Sequence, residues 1–506
     1  MLGRIGSMDQ GMGEYKNNRD TFYAPYVQDN FKMNHRLTLN FGLRYEPYSP
    51  WREVAGRWER FFPADYYAGF RTKQFVNAPV GETFRGDPGV PYDGTTGDYN
   101  NLAPRFGFAY DLTGDGKMSI RGGGGFFYDQ RGSGIINNGG VDASPWSARV
   151  SYTNPCEQGP TAPRPTCFVN PYSGAAKTDP FPQPLGASNA AFPTPIVVTT
   201  YVPRSTTTLA YNYNLTLERQ ISSYVIRVAY VGSRTTHGSH GWELNPAVYT
   251  PGATTSTTDA RRLFQPYGSI SQMAKDGLAR YNSLQASVNK RLSHGFTVQG
   301  NYTFSKSLDN YSQVMPWNFP NGAAMNYGPS AFDHSQRFVL SYVWQAPNIL
   351  KNRVMGVLVN GWQFTGVGQF QTGRPDTIAS GLDNSRTALN ADRAIYTGVS
   401  TAVPAGSDPT IWFNTAAFAV NPVGTFGTVG KGTIRSPSTF NWDMGIFKTT
   451  KINDRFGIQF RSEFFNIFNQ TQFLDPGTSV NSATTFGRIL SANDPRIMQF
   501  GLKLTY

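Results

Sequence analysis

Two cysteines, five histidines and a charged fraction of 15% leave this 506-residue chain little material for metal or redox chemistry. The cysteines close the stretch "CEQGPTAPRPTC" as Cys156 and Cys167. The C-x2-C spacing of a zinc site is absent. A local disulfide or two free thiols remain, and an oxidising compartment favours the disulfide. The net charge is +12, but Lys and Arg are scattered and no run exceeds two residues, as in "RR" at 261–262. That pattern argues against a nucleic-acid groove. No apolar run approaches the ~20 residues of a membrane helix, and mean hydropathy is −0.40. The opening "MLGRIGSMDQ" has neither the basic start nor the apolar core of a signal peptide. The chain is therefore expected either to be cytoplasmic or to be missing its beginning.

Catalytic motifs are also lacking. There is no G-x-S-x-G. "GTVGKGT" (427–433) has the wrong spacing for a phosphate loop, and Gly432 follows Lys431 where Ser or Thr is required. "RGGGGFF" (121–127) carries no dinucleotide fingerprint. "TGDGK" (113–117) lacks most calcium ligands and reads as a tight turn. His237 and His240 share "THGSHG" with no carboxylate nearby in sequence, so a polar loop is the simpler reading. His35, His294 and His334 stand alone. We expect no enzyme, no metal and no cofactor.

Aromatic residues are plentiful at 14%, and there are 53 glycines. They fall into a repeating pattern. In "RLTLNFGLRYE" (36–46), Leu37, Leu39, Phe41, Leu43 and Tyr45 alternate with Thr38, Asn40, Gly42 and Arg44. "FTVQGNYTFSK" (296–306), "WQFTGVGQFQTG" (362–373), "FNWDMGIFK" (440–448) and the closing "QFGLKLTY" (499–506) do the same. Side chains alternate across a strand, so each stretch predicts a strand with one apolar and one polar face. Weaker copies cover 104–112, 117–128, 208–219, 223–233, 283–291, 336–346 and 455–468, with a less clear first strand near 22–31. About 13 strands result, several near the ~10 residues that cross a bilayer when tilted.

Short and long connections alternate along the chain. "KMNH", "TGDG", "RQISS", "RLSHG" and "KTTKINDR" are short, and the join at 347–359 is somewhat longer. Between them lie 47–103, 129–205, 235–280, 308–335, 374–437 and 470–495, rich in Gly, Pro, Ser, Thr and Asn. A soluble sandwich has no reason to alternate loop lengths. A transmembrane barrel has short periplasmic turns and long extracellular loops. The fold class expected is all-β, an antiparallel transmembrane β-barrel surrounded by outer-membrane lipid. The short turns and the C-terminus then face the periplasm. The segment holding Cys156 and Cys167 faces outward.

"QFGLKLTY" resembles the β-signal that the barrel-assembly machinery of Gram-negative bacteria reads, with Gln499, Gly501, Leu504 and Tyr506 at the matching positions. "YVQDNFKMNHRLTLNFGLRYEPY" (26–48), "YNSLQASVNKRLSHGFTVQGNYTFSKSLD" (281–309), "HSQRFVLSYVWQAP" (334–347), "GWQFTGVGQFQTGRP" (361–375) and "FRSEFFNIFNQTQF" (460–473) resemble TonB-dependent transporters, in particular the Oar-like group. This resemblance covers about 22–506. It implies a 22-stranded barrel, a plug domain and coupling to the TonB energy complex. The expectation is therefore a partial wall of about 13–14 strands. Residues 1–21 read as a remnant of an upstream barrel or loop, and 22–506 as the C-terminal portion. The implied function is outer-membrane transport of a ligand too large for porins. The alternatives are a small passive porin, or a surface adhesion or structural barrel. The ligand is not legible.

Arg44, Glu46, Arg105, Arg121, Arg227, Asp443, Arg461 and Glu463 occupy polar positions of these strands, so we expect them to face the lumen. A charge facing lipid at mid-bilayer costs ~2–4 kcal/mol, so their direction tests the assignment. Tyr45, Tyr110, Tyr128, Trp344 and Trp362 lie near strand ends and are expected in interface belts.

Overall fold

A computed structural model describes residues 7–11, 17–129, 144–147, 149–153, 186–254, 257–312, 325–350, 353–389, 392–453 and 455–505. Cys156, Cys167 and Tyr506 lie outside the described residues.

Thirteen strands, each antiparallel to the next in sequence, form one continuous wall. They are β1 Tyr26–Lys32, β2 Leu37–Tyr45, β3 Leu102–Asp111, β4 Met118–Asp129, β5 Thr208–Ile221 and β6 Tyr224–Glu243. β7 Tyr267–Ser293, β8 Phe296–Asp309, β9 Gln336–Gln345, β10 Trp362–Gln371, β11 Thr439–Lys451, β12 Gly457–Phe465 and β13 Ile497–Thr505 follow. All thirteen expected strands are present. Among the described residues β1 and β13 are the edges of the sheet and do not pair with each other, so the wall is open.

The register assigns each residue to a face. One face carries Leu39, Phe41 and Leu43 of β2, Phe106 and Phe108 of β3, and Leu215 and Leu217 of β5. It continues through Ile226, Val228 and Tyr230 of β6, Leu284 and Val288 of β7, and Tyr302 and Phe304 of β8. Tyr342, Phe364, Met444, Phe460, Phe500 and Leu502 complete it. These side chains have no second layer over them: Phe500 is 63% and Leu502 is 67% exposed. Close packing within the face is aromatic against glycine. A Cβ on Gly232 would sit 2.2 Å from the Tyr213 ring, and one on Gly368 would sit 2.4 Å from the Trp442 ring.

Charge on the apolar face among the described residues falls at two levels, except for Asp29, which pairs with Phe41 at mid-strand on the edge strand β1. Near the short-turn end lie Arg219, Lys290 and Lys448. Lys290 Nζ donates to Ser293 O at 3.0 Å and Phe296 O at 2.7 Å, and Lys448 Nζ donates to Asn360 O at 2.5 Å. Both ammonium groups thus reach down to the turns while their stems stay on apolar surface. Near the opposite end lie Arg234, Arg280 and Lys306. Lys290 and Arg280 bracket an apolar stretch of one strand. Ten residues at ~3.4 Å each, tilted by ~45°, span about 24 Å along the membrane normal, close to the ~25 Å apolar band of outer-membrane barrels.

The long connections are not structureless. Glu59–Phe61 pairs with Glu82–Phe84, a short helix spans Pro63–Tyr67, and Ile196–Tyr201 runs parallel to the start of β7. They bury Phe61, Ile196, Val198, Phe264, Tyr267 and Ile270 in one cluster. Phe61 meets Tyr267 edge-on with centroids 4.7 Å apart. A second cluster joins Ile378, Ala394, Phe413, Phe418, Val429, Ile434 and Phe486 from the last two long connections. Each such side chain contributes ~1.5–3 kcal/mol when removed from water. The buried cores therefore sit in the connections, while the strands expose their apolar side.

One expectation needs correction. Segment 235–280 was expected to be a loop, yet β6 continues to Glu243 and β7 begins at Tyr267. Above the apolar band these extensions pack against the folded connections, with Tyr267 and Ile270 in the buried cluster, so hydrogen-bonded pairing persists without the period-two alternation of the wall. The somewhat longer join after β9 contains a helix, Arg353–Val359, with Met355, Val357 and Leu358 exposed. Trp362 Nε1 donates to Leu358 O at 2.9 Å, which ties this helix to the base of β10.

Candidate functional site

The second face of the wall is polar. Gly42 pairs with Arg105, Arg105 with Gly125, and Arg121 with Thr216. Glu218 pairs with Arg227, Arg227 with Ser287, and Ser287 with Asn301. Thr303 pairs with Arg337, Arg337 with Gln371, and Gln369 with Asn441. Gly445 pairs with Glu463 and Arg461 with Gly501. Two-residue steps along each strand connect these pairs, so Arg44, Arg105, Arg121, Arg227, Asp443, Arg461 and Glu463 share one face. Glu46 lies just beyond β2, 2.7 Å from Arg44 Nε.

Several of the charges on this face are partnered. Arg227 reaches Glu218 at 2.7 Å, and Arg121 reaches the other oxygen of Glu218 at 3.5 Å. Glu218 thus bridges two arginines on neighbouring strands. The sequence reading missed it, although its alternation with Leu215 and Leu217 carried the signal. Arg105 lies over the Phe127 ring at 4.5 Å and Arg461 over Phe447 at 5.2 Å. Asp443 accepts from Asn441 Nδ2 at 3.0 Å and from the Asn466 amide at 2.9 Å. Gln499 and Gly501 of β13 lie on this polar face and Leu504 on the apolar one. The expected belt residues Tyr45, Tyr110, Tyr128, Trp344 and Trp362 all lie on the apolar face. Trp344 stacks on Phe364 at 5.3 Å.

Above the wall the folded connections are clamped to the strand ends. Lys431 Nζ lies 2.5 Å from Asp309 Oδ1 at the top of β8, and both side chains are buried. The residue that mimicked a phosphate-loop lysine is thus an internal ion-pair partner. Burial pushes the Asp309 carboxyl up, but Lys431 and the Ser330 and Ser312 donors outweigh it and hold the carboxyl below its ordinary range. Arg435 reaches Asp333 at 2.6 Å and donates to Gly373 O at 2.9 Å. Arg393, 1% exposed, donates to Met325 O at 2.6 Å and Val429 O at 3.2 Å. Burial pushes this guanidinium down to about 10.

Glu59 and Glu82 lie on one side of their two-stranded pair, facing the aromatic cluster. Neither Glu82 carboxylate oxygen has a hydrogen-bond partner among the described residues. Burial, then the charge of Glu59, pushes the Glu82 carboxyl well above its ordinary value.

The histidine reading is corrected. Strand pairing places His240 opposite Ala274, with His240 Nδ1 3.1 Å from Asp276 Oδ1. A carboxylate is therefore close in space, although none is near in sequence. Burial pushes this imidazole down, against the pull of Asp276. "TGDGK" is a tight turn: Asp111 accepts from the amides of Thr113, Gly114 and Gly116, which uses both carboxylate oxygens. No group of three or more potential metal-ligating side chains occurs among the described residues.

A family model described as an outer membrane beta barrel domain matches residues 1–499. Solved structures with similar arrangements include the Pseudomonas aeruginosa pyoverdine receptor FpvA, at 10% identity and TM-score 0.43, covering 95% of this chain and 38% of the receptor. The Escherichia coli outer membrane transporter YddB is 12% identical with TM-score 0.46, over 96% of this chain and 54% of YddB. The E. coli ferric-catecholate import receptor Fiu is 11% identical with TM-score 0.42, over 96% of this chain and 42% of Fiu. The chain thus spans between 38% and 54% of the length of these three proteins. No curated protein matches the sequence. The antiparallel wall, its bounded apolar face and the match over nearly the whole length lead to one assignment: the chain belongs to the outer-membrane β-barrel domain family, and its place is the outer membrane.

Proposed function

We propose that this chain supplies wall and outer cap to a TonB-dependent transporter of the outer membrane. The observation that carries this reading is the wall itself, with a banded apolar face, a charged opposite face and two edges unpaired among the described residues. An open edge in hydrocarbon leaves backbone N–H and C=O groups unsatisfied, so β1 and β13 require further strands. In this reading residues 22–506 are the C-terminal part of a larger barrel. Arg44, Glu46, Arg105, Arg121, Arg227, Asp443, Arg461 and Glu463 then line its lumen. The barrel-assembly machinery recognises the last strand through Gln499, Gly501, Leu504 and Tyr506. The folded connections hold the ligand first, and a plug coupled to TonB admits it past the Arg121–Glu218–Arg227 network.

The test is isolation of the chain from native outer membranes by affinity capture after mild cross-linking, with its associates identified by mass spectrometry. Recovery with a plug domain and TonB supports the proposal. Recovery without TonB, together with steady conductance in a planar bilayer, replaces it with a passive channel. Recovery without conductance, with loss of cell contact in a deletion strain, replaces it with an adhesive barrel.

A further inference from the structure

Arg234 of β6 and Arg280 of β7 are direct cross-strand partners on the apolar face. Lys306 of β8 is the partner of Asn282, two residues along β7 from Arg280, and shares that face. All three side chains are exposed. None of them makes an ion pair among the described residues, in contrast with Arg121 and Arg227 on the polar face. Like charges directly opposite each other on a sheet destabilise it. Two arginines and a lysine in this arrangement lack the counter-charge that would justify it.

Their height identifies where that counter-charge comes from. Immediately below the two arginines and level with Lys306, Asn282 Oδ1 accepts from Tyr213 Oη at 3.1 Å and from Tyr230 Oη at 2.7 Å. A tyrosine–amide cluster of this kind belongs at the boundary between hydrocarbon and headgroups. The apolar band begins beneath it with Leu284, Leu215 and Phe304, and ends at Lys290, about 24 Å below Arg280 along the membrane normal. The three cations therefore stand at headgroup level at the loop end of the wall and project away from the polar face. Two planar guanidinium forks and an ammonium suit phosphate oxygens, which accept bidentate bonds from Arg and point-charge contacts from Lys.

We propose that Arg234, Arg280 and Lys306 form a binding site on the membrane-facing surface for the phosphate of an outer-leaflet lipid. The site is separate from the transport path, and its occupancy holds the β6–β7–β8 part of the wall at fixed depth. It requires no assumption about the transported ligand.

The test uses the full chain purified from outer membranes in mild detergent, with bound lipid read by native mass spectrometry and affinity by titration with lipid A micelles. Binding should weaken roughly tenfold for each of Arg234→Gln and Arg280→Gln, as expected for loss of one charge-assisted contact. The charge-retaining pair Arg234→Lys with Arg280→Lys should keep most of it. Heat-modifiable migration of each variant separates loss of the site from loss of the fold. Inorganic phosphate serves as a second probe. If phosphate alone displaces lipid A at equal concentration, the site is for a free anion and the lipid assignment is overturned. Equal lipid A binding by wild type and by the folded Arg234→Gln/Arg280→Gln/Lys306→Gln variant overturns the proposal altogether.

Discussion

The Lys431 ammonium lies 2.5 Å from the Asp309 carboxylate, and the two side chains are 1% and 2% exposed. One residue belongs to a long connection and the other closes β8. Removing one member of such a buried pair leaves an uncompensated charge and costs ~3–5 kcal/mol. Lys431→Met should therefore loosen the 374–437 connection, seen as faster proteolysis there with the wall intact. Lys431→Met with Asp309→Leu should recover most of the loss. A single variant as resistant as wild type would refute the clamp.

The same pair sets a pH limit. The Asp309 carboxyl is held below its ordinary value of 3.8 in the folded chain. A depressed carboxyl contributes stability that is full above the unfolded value and lost as pH falls through the folded one. Protease resistance of the 374–437 connection should be flat from neutral pH down to about 4 and fall below that. Loss already complete at pH 5 would contradict the assignment.

Glu82 has the opposite sign. Its carboxyl is raised well above the ordinary 4.5 by burial and then by Glu59. Below the unfolded value both states are protonated and nothing is lost. As pH rises beyond it, the unfolded chain ionises while the folded one stays neutral, and stability falls until the folded value is reached. Glu82→Gln should therefore leave stability unchanged near pH 4 and raise it at pH 7–8, by urea unfolding followed with tryptophan fluorescence. A destabilised variant at pH 8 would mean that the ionised carboxylate is required.

The two faces of one strand should respond oppositely to charge. Leu284→Arg places a cation in the apolar band and should cost ~2–4 kcal/mol on refolding into lipid vesicles. Gln285→Arg, one residue along and on the polar face, should cost under ~1 kcal/mol. Equal costs would mean that lipid does not cover the apolar face.

Glycines opposite aromatic rings predict a local steric penalty. A Cβ at Gly368 falls 2.4 Å from the Trp442 ring, so Gly368→Val must displace the indole. The expected loss is ~1–3 kcal/mol, with a changed Trp442 environment in near-ultraviolet circular dichroism. Gly300→Val, whose Cβ would meet Leu340 at 3.6 Å, should be milder.

Period-two alternation was sufficient to place all thirteen strands, because a strand between lipid and a polar space writes its two solvents into alternate residues. It also placed Arg44, Arg105, Arg121, Arg227, Asp443, Arg461 and Glu463 on one face, since parity along a strand is local information. Where the strands rise beyond the apolar band and pack against the folded connections, as in Arg234–Glu243 and Tyr267–Ala279, the alternation vanishes and the strands were legible only as loop. Four relationships depended on register between segments distant in the chain. These are Glu218 between Arg121 and Arg227, Asp276 beside His240, Asp309 beneath Lys431, and Arg280 opposite Arg234. The sequence by itself determined which residues form the apolar face of the wall. Only the tertiary structure decided which charges meet, because a hydrogen-bonded ladder fixes that partnership across tens of residues and no local pattern records it.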